Sequence, residues 1–259
     1  MNKIVLILGM HRSGTSFLTN WLQQCGLYIG SELYGKDIGN KDGHFEDWNF
    51  INLHRRALKE SPFDKESEVF DFETNARKLV ETNNASHDQW SWKDPRTCLL
   101  LPEWHTIIPD ATAIVIFRHY SFVVDSIIRR YKEQLNKQSL LAKIRGLIAL
   151  YRSRKKLHNF YLLEWINYNR KIVNYLKKKE RNEYLVVELE TLFESGKNII
   201  GYFNNRGVKL QYTDPAKIFN PELFANKVSV KLYYSANLEA TANKIFFELV
   251  ALAQTNVFK

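Results

Sequence analysis

Short, nearly continuous aliphatic runs alternate along this chain with segments in which apolar residues recur every three or four positions. Runs of the first kind are typical of strands buried on both faces of a parallel sheet, whereas segments of the second kind are typical of helices. The predicted strands cover residues 3–8, 89–94, 111–117 and 184–188. This alternation predicts a three-layer α/β/α fold with a central parallel sheet, right-handed crossovers and helical insertions.

The helices are predicted from the same pattern together with their end signals. A first helix opens at Thr15 and ends near Gly26, and a second follows Asp47, whose carboxylate can cap it. Further helices are predicted at residues 73–82, 97–108, 120–131, 189–204 and 238–254. Residues 132–179 predict two more helices, separated near residues 152–159. The glycine-rich stretch from Gly26 to Gly43 predicts an exposed loop, and residues 60–71 are predicted to be irregular.

The turn after the first strand carries the clearest chemical signal. Gly9 is followed by four residues and then by Gly14, Thr15 and Ser16, which is the spacing of a P-loop with threonine in place of the usual lysine. Backbone N–H groups and the helix dipole at such a turn favour an anion. The cation lies earlier, at Arg12, so the turn suits a 5′-phosphate better than the cleavage of a triphosphate. The alternative is a strand-to-helix turn without a ligand.

The segment GMHRSGTSFL resembles the 5′-phosphosulfate loop of sulfotransferases that use 3′-phosphoadenosine 5′-phosphosulfate (PAPS). This resemblance implies a P-loop nucleotide-hydrolase-like fold for the α/β domain. It also implies that Phe17 lies near the adenine. The residues that it would place around the 5′-phosphate and the sulfuryl group are Arg12, Ser13, Gly14, Thr15 and Ser16.

A second anion site is predicted where the strand at residues 111–117 ends. Arg118 follows that strand directly, and Ser126 lies eight residues later in the next helix. An arginine at a strand end can bind a phosphate with two hydrogen bonds, and a serine one or two turns later can donate to the same group. The spacing of Arg118 and Ser126 resembles the 3′-phosphate site of the same family. The blocks GHFED, WKDPR, WINYN, YLVVELETL and FNPELF resemble bacterial sulfotransferases that modify carbohydrates and small metabolites.

Sulfuryl transfer needs a base, cations that stabilise the transferring group and in-line positioning. Glu46 is the first candidate base, because related carbohydrate and lipid sulfotransferases resemble this chain in having a glutamate after the first helix. His44 is the second candidate and Asp42 the third. The histidine that many cytosolic sulfotransferases use follows the next strand, where this chain has Lys93, Asp94 and Pro95. The predicted stabilising cations are Arg12 and Lys93. Arg96 could contact the acceptor or PAPS, or form a surface ion pair.

Composition fits these predictions without selecting among them. The chain has 259 residues and a net charge of +9, which suits PAPS but also nucleic acid or an anionic membrane. We expect a single domain over residues 1–259, with no metal site and no nucleic-acid partner. We further expect neither signal peptide nor membrane span, and two buried free thiols, at Cys25 and Cys98, as in a cytoplasmic protein. The basic run Arg152, Arg154, Lys155 and Lys156 could bind the 3′-phosphate or an anionic acceptor, or be a solvated surface.

The sequence therefore predicts an enzyme that moves a sulfuryl group from PAPS to an acceptor and releases adenosine 3′,5′-bisphosphate (PAP). The acceptor atom would be a hydroxyl oxygen or a nitrogen of a secondary metabolite, or of a carbohydrate or glycolipid. Two rivals stay open at this point. One is a P-loop kinase or nucleotide hydrolase that needs Mg²⁺, and the other is a non-catalytic protein that binds nucleotides or nucleic acid.

Overall fold

The computed structural model describes residues 2–35, 43–60, 70–220 and 227–255. All four predicted strands are present, as β1 (Lys3–Leu8), β2 (Gln89–Trp92), β3 (Thr112–Phe117) and β4 (Tyr184–Glu188). They pair in parallel in the order β2-β1-β3-β4. Because parallel strands share a direction, the residues that follow β1, β2, β3 and β4 meet along one edge of the sheet.

Eight α-helices flank this sheet in the described part of the chain. They are α1 (Thr15–Gln24), α2 (Trp48–Ala57), α3 (Phe72–Ser86), α4 (Leu101–Ile107), α5 (Tyr120–Asn136), α6 (Leu140–Leu176), α7 (Leu192–Asn204) and α8 (Ala236–Gln254). Short 3₁₀ turns precede α4 and α7 at Pro95–Leu99 and Leu189–Thr191. As predicted, Asp47 caps α2 by accepting a hydrogen bond from the amide of Asn49.

Two hydrophobic cores, one on each face of the sheet, make the three layers. Alternate residues of a strand point to opposite faces, so Leu6 of β1 lies in one core and Val5 in the other. The larger core contains residues of α2, α4, α6 and α8, whereas α1 and α7 cover the second. In the larger core, the ring of Phe50 stacks on Trp92 at 4.3 Å between centroids. The predicted α/β fold is confirmed.

The prediction of two helices separated near residues 152–159 is wrong, because α6 runs unbroken for 37 residues. Residues 152–159 contain no glycine or proline, and arginine and lysine are good helix formers. The break lies instead at residues 137–139, which end with Ser139, the N-cap of α6. At 1.5 Å per residue, α6 is about 55 Å long.

The expected exposed loop after α1 is only partly exposed. Leu27 and Ile29 are buried, and Tyr28 bridges to Trp90 at the edge of β2. The glycines predicted a loop correctly, but Leu27 of this loop belongs to the second core and Tyr28 packs against the larger one. Residues 36–42 and 61–69 lie outside the described part of the chain. Cys25 and Cys98 are buried and free, and no described helix is both long and apolar enough to span a bilayer.

Asp125, fully buried in α5, fixes the segment that leads into α8. Its Oδ1 accepts hydrogen bonds from the amides of Ser229 and Val230 at 2.8 and 2.9 Å and from the Ser229 hydroxyl at 2.8 Å. Its Oδ2 accepts from Nε of Arg129 at 2.9 Å. The carboxylate thus satisfies backbone donors of the segment that precedes α8 and positions that segment against the helix that carries Ser126.

Replacing Asp125 with alanine is expected to lower the free energy of unfolding by about 3 kcal/mol, because it leaves buried donors without an acceptor. Urea denaturation measures this change. The matched control is Asp88→Ala, at an exposed position, which should change stability by less than about 0.5 kcal/mol. Equal effects of the two substitutions would show that Asp125 does not hold this segment.

Candidate active site

The turn between β1 and α1 adopts a backbone conformation that few residues tolerate. Gly14 has φ 94°, and a Cβ atom there would lie 2.6 Å from Cδ1 of Leu189. Arg12, which is not a glycine, also has a positive φ of 68°. Such a conformation persists only where the surroundings impose it, and it is frequent at ligand sites. The turn therefore packs tightly against the residue that follows β4.

The turn offers donors that lack acceptors among the described residues. Ser13 is 1% exposed, and its hydroxyl has no hydrogen-bond partner among the described residues. Thr15 and Ser16 open α1, where the first backbone amides have no intrahelical acceptor. A buried hydroxyl beside the N-terminus of a helix is a donor set that a phosphate or sulfate group satisfies. These residues fit the anionic group that the sequence predicted for them.

Arg12 connects this turn to α5. Its Nε donates a hydrogen bond to Oγ of Ser126 at 2.9 Å. Burial, together with the nearby charges of Arg130, Arg129 and Arg118, lowers the pKa of Arg12 to about 10, against an opposing contribution from Glu133. Several cations therefore act on one buried point, and an anionic ligand there would be stabilised by all of them.

His11 is exposed to the same positive field. Burial is the main cause that lowers the pKa of His11 to about 4, and the charges of Arg12, Arg130 and Arg96 contribute to the same shift. The imidazole is therefore neutral at physiological pH. Its ring packs edge-on against Tyr168 of α6, with 5.8 Å between centroids. This contact brings the second half of α6 to the turn.

Arg118 lies where the sheet delivers it, directly after β3, and is 6% exposed. Its Nε donates to Oε1 of Glu190 at 2.6 Å, and its guanidinium stacks over the ring of Phe122 at 4.3 Å. Glu190 directly follows Leu189, the residue that packs on Gly14. The arginine predicted to bind a phosphate is thus held near the turn by a carboxylate on a half-exposed side chain.

A buried ion pair lies on the other side of the turn. Lys93, just beyond β2, is 1% exposed and donates from Nζ to Oε1 of Glu46 at 2.5 Å. The same Nζ lies 3.4 Å from Oγ of Ser16, in the first turn of α1. Burial lowers the pKa of Lys93, although the charge of Glu46 opposes this shift. A carboxylate and an ammonium group therefore meet beside the predicted anion site.

His44 lies in the same group. Its carbonyl accepts a hydrogen bond from the Ser16 hydroxyl at 3.2 Å, and its Nδ1 is 4.0 Å from Oε1 of Glu46. Its ring packs on Tyr34 with 4.4 Å between centroids. The two leading candidate bases are thus neighbours, whereas Asp42 lies outside the described residues.

Phe17 points into an aromatic cluster rather than into open solvent. It is 9% exposed, and its ring centroid lies 5.6 Å from those of Phe193 and Phe219. Phe193 belongs to α7 and Phe219 to the segment that precedes residue 220. One side of Phe17 therefore packs against other rings beside the first turn of α1.

A buried network holds the residues after Lys93 in place. Trp104 donates from its indole N–H to Nε2 of His54 at 3.0 Å, which leaves Nδ1 as the ring nitrogen that donates. Nδ1 then donates to Oδ2 of Asp94 at 2.8 Å. Oδ1 of Asp94 accepts from the amide of Arg96 at 3.0 Å and from its Nη1 at 3.1 Å. Arg96 also donates to Glu60 at 2.8 Å, so it forms the ion pairs that were the alternative to a ligand contact.

The structure brings the residues of both predicted anion sites and the two leading candidate bases, Glu46 and His44, to the carboxyl edge of the sheet. The basic run that begins at Arg152 lies on the surface of α6, not between helices as expected. Sequence reasoning missed Arg130, Glu190 and His54. Arg130 was detectable, because it lies four residues after Ser126 and therefore on the same helix face. No cluster of metal-ligating side chains occurs in the described ranges.

An anion-binding turn between the first strand and first helix of a parallel sheet defines the class of P-loop-like α/β proteins. The family model described as "Sulfotransferase family" matches residues 5–164, more than half of this chain. The chain belongs to the sulfotransferase family, and it is therefore an enzyme of the sulfotransferase type.

Comparison with one solved structure supports the fold. The sulfotransferase domain from the curacin biosynthetic pathway superimposes with a TM-score of 0.55 and 16% sequence identity, over 96% of this chain and 98% of that domain. The sulfotransferase domain of the olefin synthase of Synechococcus PCC 7002 gives a TM-score of 0.49 and 16% identity, over 98% of this chain and 94% of that domain. No curated protein matches the sequence.

Replacing Asp94 with asparagine is expected to lower the free energy of unfolding by about 2–4 kcal/mol near pH 7. Burial raises the pKa of Asp94, but the hydrogen bond from His54 and the charge of Arg96 outweigh it and hold the pKa below its ordinary value. A lowered carboxyl pKa stabilises the fold above the unfolded pKa of about 4, and this stabilisation is lost as the pH falls through the lower native value.

The stability difference between wild type and Asp94→Asn should therefore shrink as the pH falls below about 4. Urea denaturation at a series of pH values measures it, with Asp110→Asn at an exposed position as the control. A difference that stays constant to low pH would contradict an ionised, paired Asp94.

Proposed function

We propose that this sulfotransferase uses PAPS as its donor and transfers the sulfuryl group to a hydroxyl oxygen or a nitrogen of a small acceptor. The acceptor would be a secondary metabolite, or a carbohydrate or glycolipid. The observation that carries the proposal is the hydrogen bond from Arg12 to Ser126, which joins two predicted phosphate sites. A nucleotide with one phosphate at each end of its ribose has charges for both sites, whereas a nucleotide with a single phosphate does not.

In the proposed complex, the turn binds the 5′-phosphosulfate end of the donor. The hydroxyl of Ser13, the amides of Gly14, Thr15 and Ser16, and the guanidinium of Arg12 would supply the hydrogen bonds. The partnerless hydroxyl of Ser13 supports this assignment, since burying a polar group without an acceptor costs about 1–3 kcal/mol. Phe17 would contact the adenine from the first turn of α1.

Arg118 and Ser126 would hold the 3′-phosphate. Glu190 accepts the hydrogen bond from Nε of Arg118, and the side chain of Glu190 is 44% exposed. A phosphate that arrives carries more charge than a carboxylate and offers three acceptor oxygens, so it can displace Glu190 and bind Arg118 through two hydrogen bonds. The Glu190 side chain can turn to solvent when this exchange occurs. Glu190 thus keeps a buried arginine paired until the nucleotide binds.

The chemistry would take place between Ser16 and the Glu46–Lys93 pair. The acceptor oxygen attacks sulfur, the bond from sulfur to the bridging oxygen breaks, and its electron pair stays on the 5′-phosphate of PAP. Glu46 takes the acceptor proton, with Oε2 available because Oε1 binds Lys93. Lys93 and Arg12 stabilise the charge that develops on the bridging and sulfuryl oxygens. His44, 4.0 Å from Glu46, is the second candidate base.

Small metabolites, sugars and glycolipids are the acceptor classes to screen. A protein of similar fold comes from the curacin biosynthetic pathway, so small metabolites belong in an acceptor screen beside sugars and glycolipids. Incubation with labelled PAPS and separation of the products would identify acceptors. Transfer to none of these classes, by protein that binds PAP, would place the acceptor elsewhere.

Calorimetry tests the donor assignment. Wild type should bind PAP without Mg²⁺ and clearly prefer it to AMP, which lacks the 3′-phosphate. Arg118→Ala should weaken PAP binding by about 2–5 kcal/mol, the cost of removing one partner of a buried charge pair, and leave AMP binding nearly unchanged. Glu190→Gln is the matched control and should bind PAP at least as tightly as wild type. Equal affinity of wild type for PAP and AMP would contradict the 3′-phosphate site.

Steady-state kinetics tests the base. Glu46→Gln should reduce turnover by about 10²–10⁴-fold, the usual effect of losing a general base, and leave PAP affinity within a few-fold of wild type. His44→Gln, the neighbouring control, should reduce turnover far less. A nearly normal rate for Glu46→Gln together with a large loss for His44→Gln would assign the role to the histidine instead.

A further inference from the structure

The first half of α6 exposes a row of large apolar side chains. Leu140 and Leu141 are 71% and 70% exposed, and Tyr151 is 67% exposed. We call this row the α6 stripe. Its members are Leu140, Leu141, Ile144, Leu147, Ile148 and Tyr151. A contiguous apolar row of this kind on a protein surface commonly marks a site of interaction with another protein or a membrane.

The α6 stripe lies on a single face of the helix. At about 100° per residue, its members fall within an arc of about 120°. The inward side of this half of α6 is different, because Gly146 packs against Leu135 of α5 and Leu150 is buried. Farther along α6, Leu162 and Ile166 continue the same face and are buried in the larger core. The apolar face of α6 is thus longer than the core that covers it.

The charge around the α6 stripe is uniformly positive. From residue 134 to residue 163 the sequence contains no aspartate or glutamate. The same stretch contains seven cations, which are Lys137, Lys143, Arg145, Arg152, Arg154, Lys155 and Lys156. Lys143 and Arg154 flank one edge of the stripe, and Arg145, Arg152 and Lys156 flank the other. None of these seven forms a salt bridge within the described residues.

A pocket beside the stripe extends this cationic surface. It has a volume of about 430 Å³ and lies between α5, α6 and residues 229–233. Lys132, Arg154 and Lys231 line it, and no carboxylate does. Leu147 and Tyr151 belong both to its wall and to the stripe. Apolar and cationic groups therefore alternate over a continuous surface.

We propose that the α6 stripe docks on a membrane surface rich in anionic phospholipid, with the first half of α6 lying in the plane of the interface. A helix with an apolar face bordered on both sides by lysine and arginine has the composition of an interfacial helix. The apolar side chains enter the acyl boundary while the flanking cations contact phosphate groups. A second copy of this chain is a poor occupant, because it would bring seven cations against seven.

Vesicle sedimentation tests this proposal with the full chain. Vesicles of phosphatidylglycerol and phosphatidylcholine in equal parts should bind the protein, vesicles of phosphatidylcholine alone should not, and added salt should weaken the binding. Replacing Arg145, Arg152 and Lys156 with glutamine should weaken binding about 100-fold, at about fivefold for each charge. The matched control replaces three exposed lysines elsewhere, Lys178, Lys209 and Lys244, and should change binding less than about threefold.

Apolar contact is tested separately from charge. Leu141→Gln combined with Ile144→Gln should weaken vesicle binding at least about tenfold, because less apolar surface enters the bilayer. Phe247→Gln is the control, since Phe247 is 66% exposed on α8. Thermal unfolding is measured for every variant, to check that each one is folded. Equal binding to both vesicle types, or equal effects of stripe and control variants, would overturn the proposal. The proposal would also be overturned if wild type did not bind vesicles but instead self-associated, or bound an acidic protein, and the stripe variants abolished that interaction.

Discussion

The hydrogen bond from Arg12 to Ser126 is the interaction on which the candidate site depends. It spans 114 positions of sequence and ties the turn after β1 to the helix after β3. Because Arg12 is buried among other arginines, the pKa of its guanidinium is lowered to about 10. Cations held this close repel one another, and this repulsion is relieved when an anion binds among them. The fold therefore maintains a positive site whose natural complement is a ligand with more than one negative charge.

The sheet is what allows this concentration of charge. β1 is paired on both sides, so its exit turn lies between the residue that follows β2 and the residue that follows β3. Lys93 follows β2 on one side of the turn and Arg118 follows β3 on the other, and both side chains are nearly fully buried. Each has a carboxylate partner, Glu46 or Glu190. The proposed reaction uses both cations at this edge of the sheet, Lys93 beside the transferring group and Arg118 on the 3′-phosphate.

The parts of the site that the sequence predicted are those with local signals. Gly9, Gly14 and the helix that begins at Thr15 follow one another directly, and Arg118 and Ser126 are eight residues apart. The Glu46–Lys93 pair, by contrast, joins residues 47 positions apart, and only resemblance to the family suggested both of them. No sequence pattern predicted the hydrogen bond between His54 and Asp94, because a histidine on the apolar face of a helix has many possible partners.

The error at α6 has a related cause. A run of arginines and lysines reduces the apolar signal without interrupting a helix, whereas the true break at residues 137–139 has only a serine cap to mark it. Because the basic run was interpreted as a connection between two helices, the apolar face that continues on both sides of it was not predicted. The structure shows that these charges border that face, which is the basis for assigning the first half of α6 to an interface.

The double anion site is best tested by a crystal structure of the complex with PAP. We expect the 5′-phosphate on Ser13 and the first amides of α1, and the 3′-phosphate on Ser126 and on an Arg118 that has released Glu190. A nucleotide whose 3′-phosphate points to solvent while Arg118 still holds Glu190 would contradict it.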